Sequence, residues 1–124
     1  ADGPGDPGVD VETIAQGRAL NAVMRVAMSD SERQFIAQNG AAFPAGVLAT
    51  ICFSAKETLF KALYPTVRHH FGFACAEMRS MPQNGQISLF LTQTLHNDLN
   101  AGQRFDIAYG LGNDEVLTWM IYRR

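Results

Sequence analysis

Phe53-Ser54-Ala55-Lys56-Glu57-Thr58-Leu59-Phe60-Lys61-Ala62-Leu63 is the stretch on which the reading of this chain turns. It sits inside a longer run, from Pro44 to about Tyr64, in which only Gly46 interrupts the helical pattern. Pro44 suits the first turn of a helix. Pro65 is expected to end it, because proline has no N–H to donate and crowds the preceding turn. Phe53, Leu59, Phe60 and Leu63 supply the apolar contact. The expectation is one long helix that packs and yet carries Lys56, Glu57 and Lys61.

On its upstream side the chain opens with a Gly/Pro-rich segment, residues 1–7, read as a linker. Gly8-Val9-Asp10-Val11-Glu12 alternates apolar and acidic residues, which predicts a short strand with one apolar and one acidic face. Leu20, Val23, Met24 and Ala27 recur at helical spacing, so a helix is expected over about 15–28. Ser29-Asp30-Ser31-Glu32 reads as a capping box opening a second helix, which Gly40 ends. Downstream the pattern is β. Strands are expected at Phe73–Met81, Gln86–Thr92, Arg104–Gly110 and Glu115–Tyr122, with an Asn84-Gly85 hairpin turn. Leu95–Gly102 reads as a loop. The fold class is α+β: three helices, then an antiparallel sheet packed against them, with the 8–12 strand as a member. Residues 8–124 form the domain.

With 124 residues and 47% hydrophobic content, the chain can bury a real core without disulfides. A net charge of -2 argues against a nucleic-acid-binding domain. No apolar run reaches membrane-spanning length. Cys52 and Cys75 lie in apolar contexts that fit no zinc or redox motif. They read as buried thiols of a reducing, cytoplasmic compartment. The chain begins at Ala1 and reads as a piece of something longer.

In a strand, positions i and i+2 face one side, so Asp10 and Glu12 present two carboxylates together. They are either a solvated edge or a site for a hard divalent cation. Glu57 and Lys61, four apart on the helix, are either a surface ion pair or the charged edge of a cleft. Lys56, one step round the helix, reaches that cleft or solvent. Taken together, Asp10, Glu12 and Glu57 can offer three oxygen ligands to Mg²⁺, with Lys61 neutralising phosphate beside it. Such a site acts by positioning and charge. Ser54 has no apparent His or Asp partner, so an attacking hydroxyl is expected from a substrate.

At this point Gly8-Val9-Asp10-Val11-Glu12, followed by Phe53-Ser54-Ala55-Lys56-Glu57 and Lys61, resembles the two signature motifs of the 4′-phosphopantetheinyl transferases. The wording, with Ser29-Asp30-Ser31-Glu32-Arg33 between the motifs, is most similar to the two-lobed subfamily that serves non-ribosomal peptide and polyketide synthesis. Within it, the enterobactin-type siderophore enzymes are nearest. The strong match covers about residues 8–64. The resemblance implies transfer of the phosphopantetheine arm of coenzyme A to a serine of a carrier protein. It assigns Asp10, Glu12 and Glu57 to Mg²⁺, Lys61 to phosphate, and Lys56 with Lys61 to coenzyme A. Glu32 is either a further site acid or simply the helix cap. The serine's proton goes to Glu57 or to a metal-bound water.

Two departures qualify the resemblance. The two-lobed enzymes are about twice this length, so the chain is expected to be the C-terminal lobe alone. It would then need an N-terminal lobe, or self-association, to bind coenzyme A well. The segment Leu63–His70 also lacks the family's glycine-rich continuation, and Arg68, His69 and His70 read as a solvated loop or as phosphate or carrier contacts. The helix over 15–28, with Arg18 and Arg25, is expected either to dock the carrier or to spend its apolar residues on the core. A non-catalytic carrier-binding lobe is the alternative from another class. His96 and Trp119 are assigned to loop and core.

Overall fold

The computed structural model describes residues 5–123. Of the expected linker, residues 1–4 lie outside them, and Asp6 and Pro7 are not linker but the start of the first strand, paired with Tyr122 and Ile121. Strand β1 spans Asp6–Thr13, helix α1 Gly17–Ala27, helix α2 Asp30–Gln38 and helix α3 Ala45–Val67. A 3-10 turn at Phe73–Cys75 leads into β2 (Ala76–Met78), followed by β3 (Gln86–Leu91), β4 (Arg104–Leu111) and β5 (Glu115–Tyr122). The five strands form one sheet in the order β1-β5-β4-β3-β2, and every neighbouring pair is antiparallel. The α+β class therefore holds, with the first strand closing the sheet against the last.

Helix α3 lies across β1 and β5 and reaches β4 and β3. Its Leu48, Ile51, Leu59 and Leu63 meet Ile87, Leu89, Ile107 and Val116 of the sheet in one core. Alternation explains the sheet's share: β3 buries Ile87, Leu89 and Leu91, two residues apart. Asn84 and Gly85 both take positive φ, 54° and 73°. Gln83 and Gln86 exchange two backbone hydrogen bonds around them, which is the two-residue hairpin expected. The capping box also forms, with the Ser29 side chain accepting from Glu32 N–H and the Glu32 carboxylate accepting from Ser29 N–H.

Three expectations are corrected. Pro65 does not end α3, which runs on to Val67. Only one carbonyl partner is lost so close to the terminus, and burial of Thr66 and Val67 favours continuing. Arg68, at φ 60°, closes the helix with its N–H on the Tyr64 carbonyl. Phe73–Met81 is not one strand: the 3-10 turn takes Phe73–Cys75, leaving only Ala76–Met78 to pair with β3. The Met78 N–H is held by the Glu32 carboxylate at 2.7 Å, which covers the free edge of that strand. Trp119 is not core; it is 43% exposed.

Trp119 belongs to a wider arrangement. Gly8, Asp10 and Glu12 point toward α3, whereas Val9 and Val11 point away. Gly8 makes this possible, since a Cβ there would stand 2.1 Å from the Thr58 carbonyl oxygen. The acidic face of β1 is thus the inner one. Val9 pairs with Trp119 and Val11 with Leu117, and all four, with Ile121, are exposed on the outer face of the sheet.

Candidate active site

β1 and α3 bring four charged groups to one place. Asp10 is only 8% exposed, set between β1 and α3. Its Oδ2 accepts a hydrogen bond from Ser54 Oγ at 2.9 Å. Its Oδ1 lies 3.1 Å from Lys61 Nζ, which also donates to the Val9 carbonyl at 3.0 Å. Glu12 follows two residues along the same face, and Glu57 stands one turn before Lys61 on α3.

The carboxylates feel one another. Glu12 is pushed up from 4.5 to about 7, first by burial, then by a hydrogen bond to Asp10 and the charges of Asp10 and Glu57, with Lys61 pulling the other way. Glu57 is also raised, by burial and then by Asp10, again offset by Lys61. Three carboxylates thus share one ammonium, a surplus of negative charge that a hard divalent cation would relieve. Among the described residues, no three His, Cys, Asp or Glu side chains are arranged to hold a metal as they stand. Asp10 spends its two oxygens on Lys61 and Ser54. The donor chemistry nevertheless fits Mg²⁺: oxygen ligands only, crowded and short of positive charge.

Beside these acids opens a cleft of about 530 Å³. Glu57, Lys61 and His70 border it, and Phe60, Phe71 and Phe73 form its apolar wall. The rings support each other, with Phe60 edge-on to Phe71 at 5.0 Å and near Phe73 at 5.8 Å. A ligand with an anionic end and a neutral body suits that lining.

The structure gathers Asp10, Glu12, Glu57 and Lys61 but not Lys56. Lys56 is 1% exposed and turned into the interior, so it does not reach the cleft expected for it. Its Nζ donates to Glu32 Oε1 and to the Ala27 carbonyl, both at 2.7 Å. Adjacent helical residues point about 100° apart, so a Glu57 facing the cleft directs Lys56 elsewhere. Glu32, the acid left between two readings, caps α2 and pairs with Lys56. Arg68 serves as the helix cap, and of the two histidines that follow it His70 lines the cleft.

Reading the sequence missed Ser54 as Asp10's partner. It also missed Thr58 and Thr118, two further buried hydroxyls behind it. The available signal was the i, i+4 spacing of Ser54 and Thr58, which puts two hydroxyls on one face of the helix.

Comparison with known proteins gives a family and a fold. A family profile described as the 4′-phosphopantetheinyl transferase superfamily matches residues 6–113. The crystal structure of Thermotoga maritima holo-[acyl-carrier-protein] synthase superposes with a TM-score of 0.60 at 17% identity. The match covers 92% of this chain and 60% of that one, and it is a likeness of fold. A comparison with curated proteins gives no match.

Proposed function

The chain belongs to the 4′-phosphopantetheinyl transferase superfamily, and we propose that it is the catalytic-metal part of an enzyme moving phosphopantetheine from coenzyme A to a carrier-protein serine. The observation that carries this is the meeting of Asp10, Glu12 and Glu57 with Lys61 at the mouth of an aromatic-walled cleft. Asp10, Glu12 and Glu57 would hold Mg²⁺. When bound, the ion supplies charge neutralisation at the pyrophosphate of coenzyme A. Lys61 lies 3.1 Å from Asp10 and also lines the cleft, so its ammonium serves phosphate there. Lys56, being buried, takes no part in binding the nucleotide.

In the reaction the serine Oγ attacks the phosphorus that carries pantetheine. The bond to the second phosphate breaks, and adenosine 3′,5′-bisphosphate leaves. Glu57 lies between the acidic group and the cleft, so its carboxylate is placed to take the serine proton. The neutral pantetheine arm suits the Phe60–Phe71–Phe73 wall.

The apolar outer face of β1 and β5 supports the finer reading, a C-terminal lobe that pairs with an N-terminal lobe or with itself. A cytoplasmic setting, where Cys52 and Cys75 remain thiols, and service to siderophore or other non-ribosomal peptide synthesis complete the proposal. The test is mass spectrometry of an apo carrier protein incubated with coenzyme A and Mg²⁺, with and without an added N-terminal lobe. A mass gain of one phosphopantetheine that is lost in Asp10→Ala, Glu12→Ala and Glu57→Ala is expected. Carrier binding without any mass gain, with both lobes present, would establish the non-catalytic alternative.

A further inference from the structure

Behind Asp10 lies a file of buried hydroxyls that the reaction above does not use. Ser54, Thr58 and Thr118 are each 0% exposed. Thr118 stands directly opposite Asp10 in the β1–β5 register. Ser54 and Thr58 are one turn apart on the face of α3 that packs on these strands.

The direction of the first hydrogen bond is fixed by chemistry. An ionised carboxylate only accepts, so Ser54 Oγ–H donates to Asp10 Oδ2 over 2.9 Å. Having given its one proton, the Ser54 oxygen is left to accept, and Thr118 Oγ1 lies 2.9 Å away. The Ser54 carbonyl, 3.0 Å from Thr118 Oγ1, is a second acceptor for the same proton. Thr58 Oγ1 lies 2.6 Å from Thr118 Oγ1 and can donate to it, with the Thr118 carbonyl at 3.3 Å as its other acceptor. All three hydroxyls can thus orient toward the carboxylate, and such a chain strengthens each of its members.

The consequence is geometric. Ser54 is the buried partner of the Asp10 carboxylate. Its other polar partners, Glu12 and Lys61, are both more open to solvent, the Lys61 side chain 51% exposed. With Oδ2 tied to Ser54, the carboxylate turns Oδ1 outward, where it meets Lys61 Nζ at 3.1 Å on the side shared with Glu12 and Glu57.

We propose that Ser54 and Thr118 are positioning residues that fix the Asp10 carboxylate so that Oδ1 faces the cation site. The inference rests on the reading of Asp10 as a metal ligand. Outer partners of this kind are worth about 10–100-fold in metal affinity. They do so without touching the ion.

The test uses the whole chain and Mn²⁺ alone, its free concentration followed by electron paramagnetic resonance. Ser54→Ala should raise the Mn²⁺ dissociation constant about 10–100-fold. Thr118→Val keeps the volume but removes the hydroxyl, and should weaken binding in the same direction. Thr118→Ser restores a hydroxyl and should return affinity to within about twofold of the parent, whatever the melting temperature does. A purely structural role would instead lower the melting temperature of all three variants and leave the affinity of the folded protein unchanged.

Asp10→Asn separates the two layers of the argument. Parent-like Mn²⁺ binding by Asp10→Asn would remove Asp10 as a ligand, and this inference with it. Weak binding by Asp10→Asn together with parent-like binding by Ser54→Ala and Thr118→Val would overturn the positioning role alone. Should Ser54→Ala fail to fold, the Thr118→Val and Thr118→Ser pair decides.

Discussion

Glu12→Gln should stabilise the protein at neutral and alkaline pH while leaving it unchanged near pH 4.5. In the unfolded chain Glu12 ionises near 4.5, whereas in the fold it keeps its proton to about 7. Between those values the folded state binds more protons than the unfolded one, so stability falls as pH rises, and the full penalty is present above pH 7. Taken whole, the gap is worth roughly 3.4 kcal/mol at about 1.36 kcal/mol per pKa unit. Glu12 is partly exposed, and screening by solvent reduces this to about 1.5 kcal/mol. Glutamine carries no charge at any of these pH values and escapes the penalty. At about 4 °C per kcal/mol for a domain of this size, its melting temperature at pH 8 should lie about 6 °C above the parent's. The assay is thermal unfolding of both proteins at pH 4.5, 6 and 8 with chelator present. Equal melting temperatures at pH 8, or the same difference at all three pH values, would refute the crowding of Glu12 against Asp10 and Glu57. Added Mg²⁺ should narrow the gap by stabilising the parent more than the variant.

Gly8→Ala places a Cβ 2.1 Å from the Thr58 carbonyl, and urea unfolding should show a loss of about 3 kcal/mol as β1 is forced off α3. Lys56→Met leaves Glu32 buried without its cation and should cost about 3–5 kcal/mol in the same measurement; a loss below about 1 kcal/mol would show that the backbone donors to Glu32 suffice. Charge reversal at Arg18 and Arg25, both exposed on α1, should raise KM for the carrier in the complete enzyme and leave KM for coenzyme A unchanged. Equal effects on both substrates would place the carrier elsewhere.

Most of the fold could be read from local pattern. Alternation over Gln86–Leu91 and the Asn84-Gly85 pair located a hairpin because side-chain period and turn chemistry are properties of a few neighbouring residues. What could not be read depended on residues far apart. Alternation showed that β1 has an apolar and an acidic face but not which is inner; the acidic face is, because Gly8 lets α3 approach and Ser54 meets Asp10. Phe73–Met81 looked like a strand, but its pairing is limited to Ala76–Met78 while Glu32, more than forty positions away, holds the Met78 N–H. At the site, the spacing of Asp10 with Glu12 and of Glu57 with Lys61 carried the grouping. The fate of Lys56 turned on Glu32, whose capping role was visible but whose burial, with the capping oxygen Oε1 also accepting from Lys56 and Oε2 accepting from Met78 N–H, was not.

The chain contains two lysines, Lys56 and Lys61. One is sealed inside with Glu32, and the other stands half in solvent beside Asp10. An amine-selective reagent applied to the native fold therefore finds a single lysine, and that lysine borders the cleft. Acylation at Lys61, mapped by peptide mass, becomes a direct gauge of cleft occupancy. Modification at Lys56 becomes a gauge of unfolding. Both are read from one digest.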